Sequence, residues 1–141
     1  MQFTKAEEYG IHGVIYLAER NDSAVTPLSE ISEAKDIPEK FLAKIFQSLS
    51  RAGIVRSHRG VRGGVPLAKA PAEITVKEVL EAIQGPYHLS KCIKDDQICE
   101  RSELCALRQL LRAAEERLVS VFEEHTIADL MSTAKTRATA I

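Results

Sequence analysis

The sequence predicts a mainly α-helical chain with a small β-hairpin, arranged as a winged helix-turn-helix DNA-binding domain plus a long dimerisation helix. Three observations predict it. Between Thr26 and Gly53, a short helical segment closes into a longer amphipathic one. A basic, glycine-rich stretch, IVRSHRGVRGGVPLA (Ile54 to Ala68), follows at once. Further on, Leu107, Leu111, Ala114, Leu118 and Val121 recur at alternating steps of four and three, a heptad seam on one long helix.

The elements follow in order. Thr4-x-x-Glu7 is a capping box, and Ala6, Tyr9, Gly10, Gly13, Val14 and Leu17 then share one helical face until the turn cluster Asn21-Asp22-Ser23. Thr26-Pro27 reads as an N-cap with proline at the first helical position, opening a short helix through Leu28, Ile31 and Ala34. Pro38 starts a third helix with Phe41, Leu42, Ile45, Phe46 and Leu49 inward and Lys40, Ala43, Lys44, Gln47 and Arg51 outward, and Gly53 is its stop. Short β-prone runs flank Gly60-Val61-Arg62-Gly63-Gly64, the signature of a hairpin with a flexible tip, and Pro66 confines the second strand to an edge. Thr75-x-x-Glu78 is a second capping box, opening a helix with Val76, Val79, Leu80 and Ile83 inward that ends at Gly85-Pro86. Leu110 and Phe122 broaden the seam of the long helix. One such helix has little partner surface within a small domain, so a second copy of the chain is the expected partner. The organisation expected is a winged helix-turn-helix over 1–86, a cysteine loop over 87–106, the dimerisation helix and a return segment over 107–130, and a mobile tail over 131–141.

The 141 residues carry a net charge of only −1, but the charge is unevenly placed. From Lys40 to Ala72 the chain has seven basic residues (Lys40, Lys44, Arg51, Arg56, Arg59, Arg62 and Lys69) and no acidic one. A solvated face normally mixes signs, so this block is expected to meet a polyanion. Lys40, Lys44 and Gln47 are the candidate contacts in a DNA major groove, while Arg59 and Arg62 suit a wing that approaches phosphates or a narrow minor groove. No apolar run is long enough to span a membrane, and the N-terminus lacks a signal-peptide core. A cytoplasmic protein is therefore expected.

All three cysteines lie in KCIKDDQICERSELC, Lys91 to Cys105, spaced C-x6-C-x5-C among polar residues. Free cysteine normally sits on apolar faces, so incidental surface thiols would not cluster in this way. The odd count argues against a disulfide framework. Structural zinc favours C-x2-4-C knuckles and a fourth protein ligand, and no further nearby cysteine supplies it. An iron–sulfur cluster is wider, takes thiolates as its standard ligands, and suits the longer gaps. Spacing alone leaves both metals open.

The chain resembles the Rrf-two family of bacterial winged-helix regulators, in its iron–sulfur branch of IscR-, NsrR- and RirA-like members. FTKAEEYGIHGVIYLAE, IPEKFLAKIFQSLSRAGIVRSHRGVRGGVPLA and HTIADL carry the resemblance over almost the whole chain except the tail. The wing motif RGVRGG and the three-cysteine loop together make it specific. The resemblance implies that Cys92, Cys99 and Cys105 ligate an iron–sulfur cluster, two-iron or four-iron. It matches Pro38–Arg51 to the recognition helix and places Arg59 and Arg62 on the wing. Two positions depart from the family pattern. Val65 stands where an aromatic usually follows the paired glycines. Arg108 stands where IscR-like members place a histidine ligand. Other members use an acidic residue from the partner subunit's first helix, which makes Glu8 the candidate fourth ligand, with His88 a weaker one. The function expected is that of a homodimeric regulator of transcription, not an enzyme, reading a roughly palindromic operator in double-stranded DNA under control of its cluster. A cluster-free thiol redox sensor of the same fold is the alternative. A small iron–sulfur enzyme or electron carrier is a lesser one, because the chain offers neither a paired acid and base nor four closely spaced thiols.

Overall fold

The computed structural model describes residues 3–20, 25–56, 64–95 and 104–131. They include the helices α1 (Lys5–Glu19), α2 (Leu28–Lys35), α3 (Glu39–Arg51), α4 (Val76–Gln84), α5 (Lys91–Lys94) and α6 (Ala106–Glu124), and a further helical stretch over 127–131. A 3-10 turn, Pro71–Glu73, precedes α4.

Helices α1, α2, α3 and α4 pack around one core built from Val14, Leu17, Ile31, Leu42, Phe46, Leu49 and Val79. Gly13 lets α1 and α3 approach closely, since a Cβ there would lie 2.9 Å from the Phe46 ring. Helix α1 begins as the capping pattern requires at one of its two contacts. Thr4 Oγ1 accepts from the Glu7 amide at 3.3 Å, but the Glu7 carboxylate takes the Thr4 hydroxyl (3.1 Å) rather than its amide. Glu7 is consequently buried, and Thr4 is tied to α4 through Gln84 Nε2 at 2.9 Å.

Helix α2 starts one residue later than expected, with Pro27 as its N-cap. It ends at Asp36, held in the left-handed conformation (φ 52°, ψ 50°), where the short polar side chain tolerates a positive φ. The Ser32 hydroxyl donates to the Ile37 carbonyl (2.6 Å) and the Ile37 amide donates back to the Ser32 carbonyl (3.0 Å), which closes the turn into α3. In α3, Leu42, Ile45, Phe46 and Leu49 are buried as expected, but Phe41 is 62% exposed. The reason is angular: at 100° per residue, position 41 falls about a quarter-turn from the centre of the buried stripe.

Helix α4 carries the full reciprocal cap. Thr75 Oγ1 accepts from the Glu78 amide (3.1 Å) and the Glu78 carboxylate accepts from the Thr75 amide (2.8 Å). Burial pushes the Glu78 carboxyl up, but Lys69 Nζ at 2.8 Å and the Thr75 amide outweigh it and hold the group below its ordinary value. The folded chain therefore binds this proton more weakly than the unfolded chain does. The contribution is fully present above the ordinary carboxylate pKa and is lost as pH falls through the lowered one. Glu78→Gln should destabilise by no more than about 1 kcal/mol at neutral pH, discounted for its exposure, and by much less near pH 3. Urea unfolding at the two pH values measures this.

The heptad positions of α6 divide between two faces. Leu111 and Leu118 turn partly inward, as does Phe122, whose ring meets Tyr87 edge-on at 6.0 Å. Leu107, Leu110 and Val121 stay exposed, with Ala114 between them. The inward face is fixed by contacts one heptad apart: buried Arg108, then Glu115, which accepts from the Leu89 amide at 2.9 Å, then Phe122. After α6 the chain re-enters the core. Thr126 bridges Thr75, the Ile127 amide donates to the Ile74 carbonyl (2.9 Å), and Ile127 is fully buried.

Candidate nucleic-acid interface and thiol loop

Lys40, Lys44 and Gln47 recur at i, i+4 and i+7, so α3 presents them together, and all three are exposed. Arg51 extends the row by one turn. The positive φ of Gly53 (76°) ends the helix and turns the chain through the core at Ile54 and Val55. The described segments on either side of residues 57–63 meet in an isolated antiparallel bridge. Val55 bridges Leu67, the Arg56 amide donates to the Pro66 carbonyl (2.9 Å), and the Ala68 amide donates to the Ile54 carbonyl (2.9 Å). Val65 is buried and its amide donates to the Thr26 carbonyl (3.0 Å), which fastens the returning limb to the segment before α2. This small valine, where the family pattern expects an aromatic, packs into the common core. Arg59 and Arg62, with the hairpin tip, lie outside the described residues.

Cys92 and Cys105 are both free thiols, half-buried, on two different elements. Ser90 caps α5, its Oγ accepting from the Cys92 amide (3.4 Å) and lying 3.1 Å from Cys92 Sγ. Cys105 is the N-cap of α6. One turn further on, Arg108 Nε donates to the Cys92 carbonyl at 3.0 Å, bringing the two thiol-bearing segments to the same end of α6. Cys99 lies outside the described residues, and among those described no three potential ligands stand close enough to hold a metal ion. The donor chemistry of the placed thiols, unoxidised and part-exposed, fits a cluster ligand set.

His88 is engaged elsewhere: its Nδ1 lies 3.2 Å from the Glu115 carboxylate. Glu8 pairs with Lys5 at 3.2 Å and lines an apolar hollow of about 360 Å³ with Phe3, His12, Val121, Phe122 and His125. Those last three residues mark the C-terminal end of α6, whereas Cys105 caps its N-terminal end. The two ends stand roughly 24 Å apart along the axis. Among the described residues, one chain does not bring Glu8 to Cys92 or Cys105.

Phe41 and Arg108 carry roles that sequence reasoning misses. The aromatic at position 41 lies at the edge of the buried stripe, where its apolar character hides the angular offset. From the sequence Arg108 is only a missing histidine, and nothing local announces its contact with a residue sixteen positions earlier.

The family model for Rrf2, described as an iron-dependent transcriptional regulator, matches residues 3–133. The chain belongs to the Rrf2 family. Among solved structures, this Rrf2 chain is similar to IscR from T. potens, at 22% identity over 95% of this chain and 88% of that one, with a TM-score of 0.76. It is also similar to CymR, the global cysteine regulator of B. subtilis, at 25% identity over 94% and 98% with a TM-score of 0.72. A candidate transcriptional regulator from Listeria innocua matches at 28% identity over 94% and 87%, with a TM-score of 0.77. The Rrf2 fold is thereby established for the chain, as is its place among transcriptional regulators. No helix among the described residues is long and apolar enough to cross a membrane.

Proposed function

We propose that this Rrf2 chain is a homodimeric, DNA-binding transcriptional regulator whose promoter occupancy is set by an iron–sulfur cluster held on Cys92, Cys99 and Cys105. The observation that supports the reading is the Arg108–Cys92 contact, which joins the two segments that carry Cys92 and Cys105 at the end of α6 opposite Glu8. Glu8 of the partner subunit completes the ligand set in this reading, because within one chain Glu8 lies at the far end of α6 from Cys105. A bound cluster would supply redox reactivity and the ordering free energy that the polar loop lacks. Everything else falls to the chain itself. Arg108, Glu115 and Phe122 join the loop to the inward face of α6, and α6 packs on α4 beneath the core that carries α3. A coupling of about 1–3 kcal/mol along that path changes DNA affinity roughly 5–150-fold.

On DNA, the row Lys40, Lys44, Gln47 and Arg51 faces the major groove. Phe41, exposed beside it, adds an apolar group of the kind that meets a thymine methyl. Arg59 and Arg62 take the flanking phosphates or the adjacent minor groove, and two copies read a roughly palindromic operator. Replacing Lys40 and Lys44 together by alanine should weaken operator binding and flatten its salt dependence. The slope of log Kobs against log salt should fall by roughly 0.9 for each phosphate that is no longer neutralised. Fluorescence anisotropy titrations between 50 and 200 mM salt, about the range over which such slopes are read, check this. An unchanged slope removes these lysines from the interface.

A second reading, direct thiol sensing without a cluster, is favoured by the Ser90–Cys92 contact, which gives one thiol a partner inside the chain. The likeness to CymR supports it equally. Iron and inorganic sulfide counted per chain after oxygen-free purification separate the two: stoichiometric sulfide supports the cluster, and its absence supports the thiol switch.

A further inference from the structure

We infer that Arg108 is a positioning residue that presets Cys92 beside Cys105 before anything binds. The inference rests on the reading of these cysteines as working thiols, and it holds for cluster and thiol switch alike.

The physical case begins with α5. A helix of four residues satisfies few of its own carbonyls, and the bond from the Asp95 amide to the Lys91 carbonyl does not involve that of Cys92. Arg108 donates to the Cys92 carbonyl at 3.0 Å. The arginine is only 7% exposed, so its guanidinium too requires acceptors, and the carbonyl of Cys92 is one of them. Arg108 is rigidly tied to Cys105 through the first turn of α6, where the Gln109 amide donates to the Cys105 carbonyl at 3.2 Å. Cys105 is thus fixed by the helix and Cys92 by the hydrogen bond. The thirteen-residue separation of Cys92 and Cys105 along the chain is thereby spanned by one contact between their segments. Arginine suits the task better than a shorter donor, because its planar fork reaches across while the remaining N–H groups keep other acceptors.

The consequence is a chelate effect. A centre that needs two thiols meets a pair already held together rather than two ends of an open loop. The test uses the reduced, metal-free chain with Cys99→Ser, leaving two thiols, titrated with phenylarsine oxide, a trivalent arsenical that bridges closely placed thiols. Free thiol is read as arsenical is added. One equivalent should consume both thiols. Arg108→Leu should weaken capture about tenfold or more, as expected for loss of a charge-assisted hydrogen bond. Arg108→Lys, which keeps a donor, should restore most of it. Thermal melting of each variant shows whether the fold is kept, so a drop in capture by Arg108→Leu at an unchanged melting temperature supports the inference. Undiminished capture by Arg108→Leu overturns it, as does failure of the parent Cys99→Ser chain to bind, or a lysine variant no better than the leucine one. Capture that behaves as expected in a protein that takes up no iron or sulfide overturns the cluster reading and leaves this one standing.

Discussion

Cys105→Ser is expected to yield colourless protein from an oxygen-free preparation that leaves the parent brown, with iron and sulfide falling to background. The fold should survive the change. Cys105 is the N-cap of α6 and makes no side-chain capping bond, and serine is among the preferred residues at that position. The substitution therefore removes a soft thiolate ligand while, if anything, improving the helix start by about 1 kcal/mol. The melting temperature of the metal-free protein should hold or rise slightly, and operator affinity should shift to that of the apo protein, roughly 5–150-fold from the loaded form. A brown serine variant with full sulfide would remove Cys105 from the ligand set. A parent that is itself colourless would remove the cluster.

Gly64→Ala is expected to destabilise the folded chain by about 2–3 kcal/mol, as overpacking against unyielding neighbours does. A Cβ at this position would fall on the Thr26 carbonyl and on the Val25 side chain. The first of these is backbone, and the Val65 amide already bonds to its oxygen. The hairpin base therefore cannot accept a methyl group without parting from the segment before α2 and drawing Val65 out of the core. Differential scanning calorimetry should show a fall of roughly 6–12 °C. Operator affinity should fall as well, because in the proposed reading the displaced limb follows the wing residues Arg59 and Arg62. Gly53→Ala is the internal comparison. There a Cβ would meet nothing, and only the positive φ opposes it, at a cost of about 1 kcal/mol. Equal effects at the two glycines would show that backbone conformation, and not the close approach at Thr26, sets the loss.

Much of the architecture is legible in local chemistry. Thr75 and Glu78 form the cap that their spacing predicts, Gly53 stops α3, and the apolar steps of α1, α3 and α4 name most of the core. Periodicity fails where one helix has two faces to satisfy. In α6 the step of three and four marks Leu107 and Leu111 alike as apolar, yet it cannot say that Leu111 turns partly inward while Leu107 stays exposed. Phe41 fails for the related reason that an aromatic at the edge of a stripe counts as part of it. Arg108 and Ile127 depend on partners distant in sequence, the carbonyls of Cys92 and Ile74, and no local pattern encodes such a pairing. The row Lys40, Lys44 and Gln47 is readable because it lies on a single helix. The thiol site is readable as a set of donors but not as a geometry.

The return of the chain at Ile127 has a mechanical consequence. Helix α6 is held to the head at its far end, by Phe122 against Tyr87 and by Ile127 in the core just beyond, so it behaves as a lever anchored at that end. A displacement near Cys105 is carried along the helix to that anchorage and loads the packing around Ile74. Cutting the chain after residue 86 would accordingly leave a void where that isoleucine plug sits. An excised reading head should thus be a poor surrogate for the intact regulator.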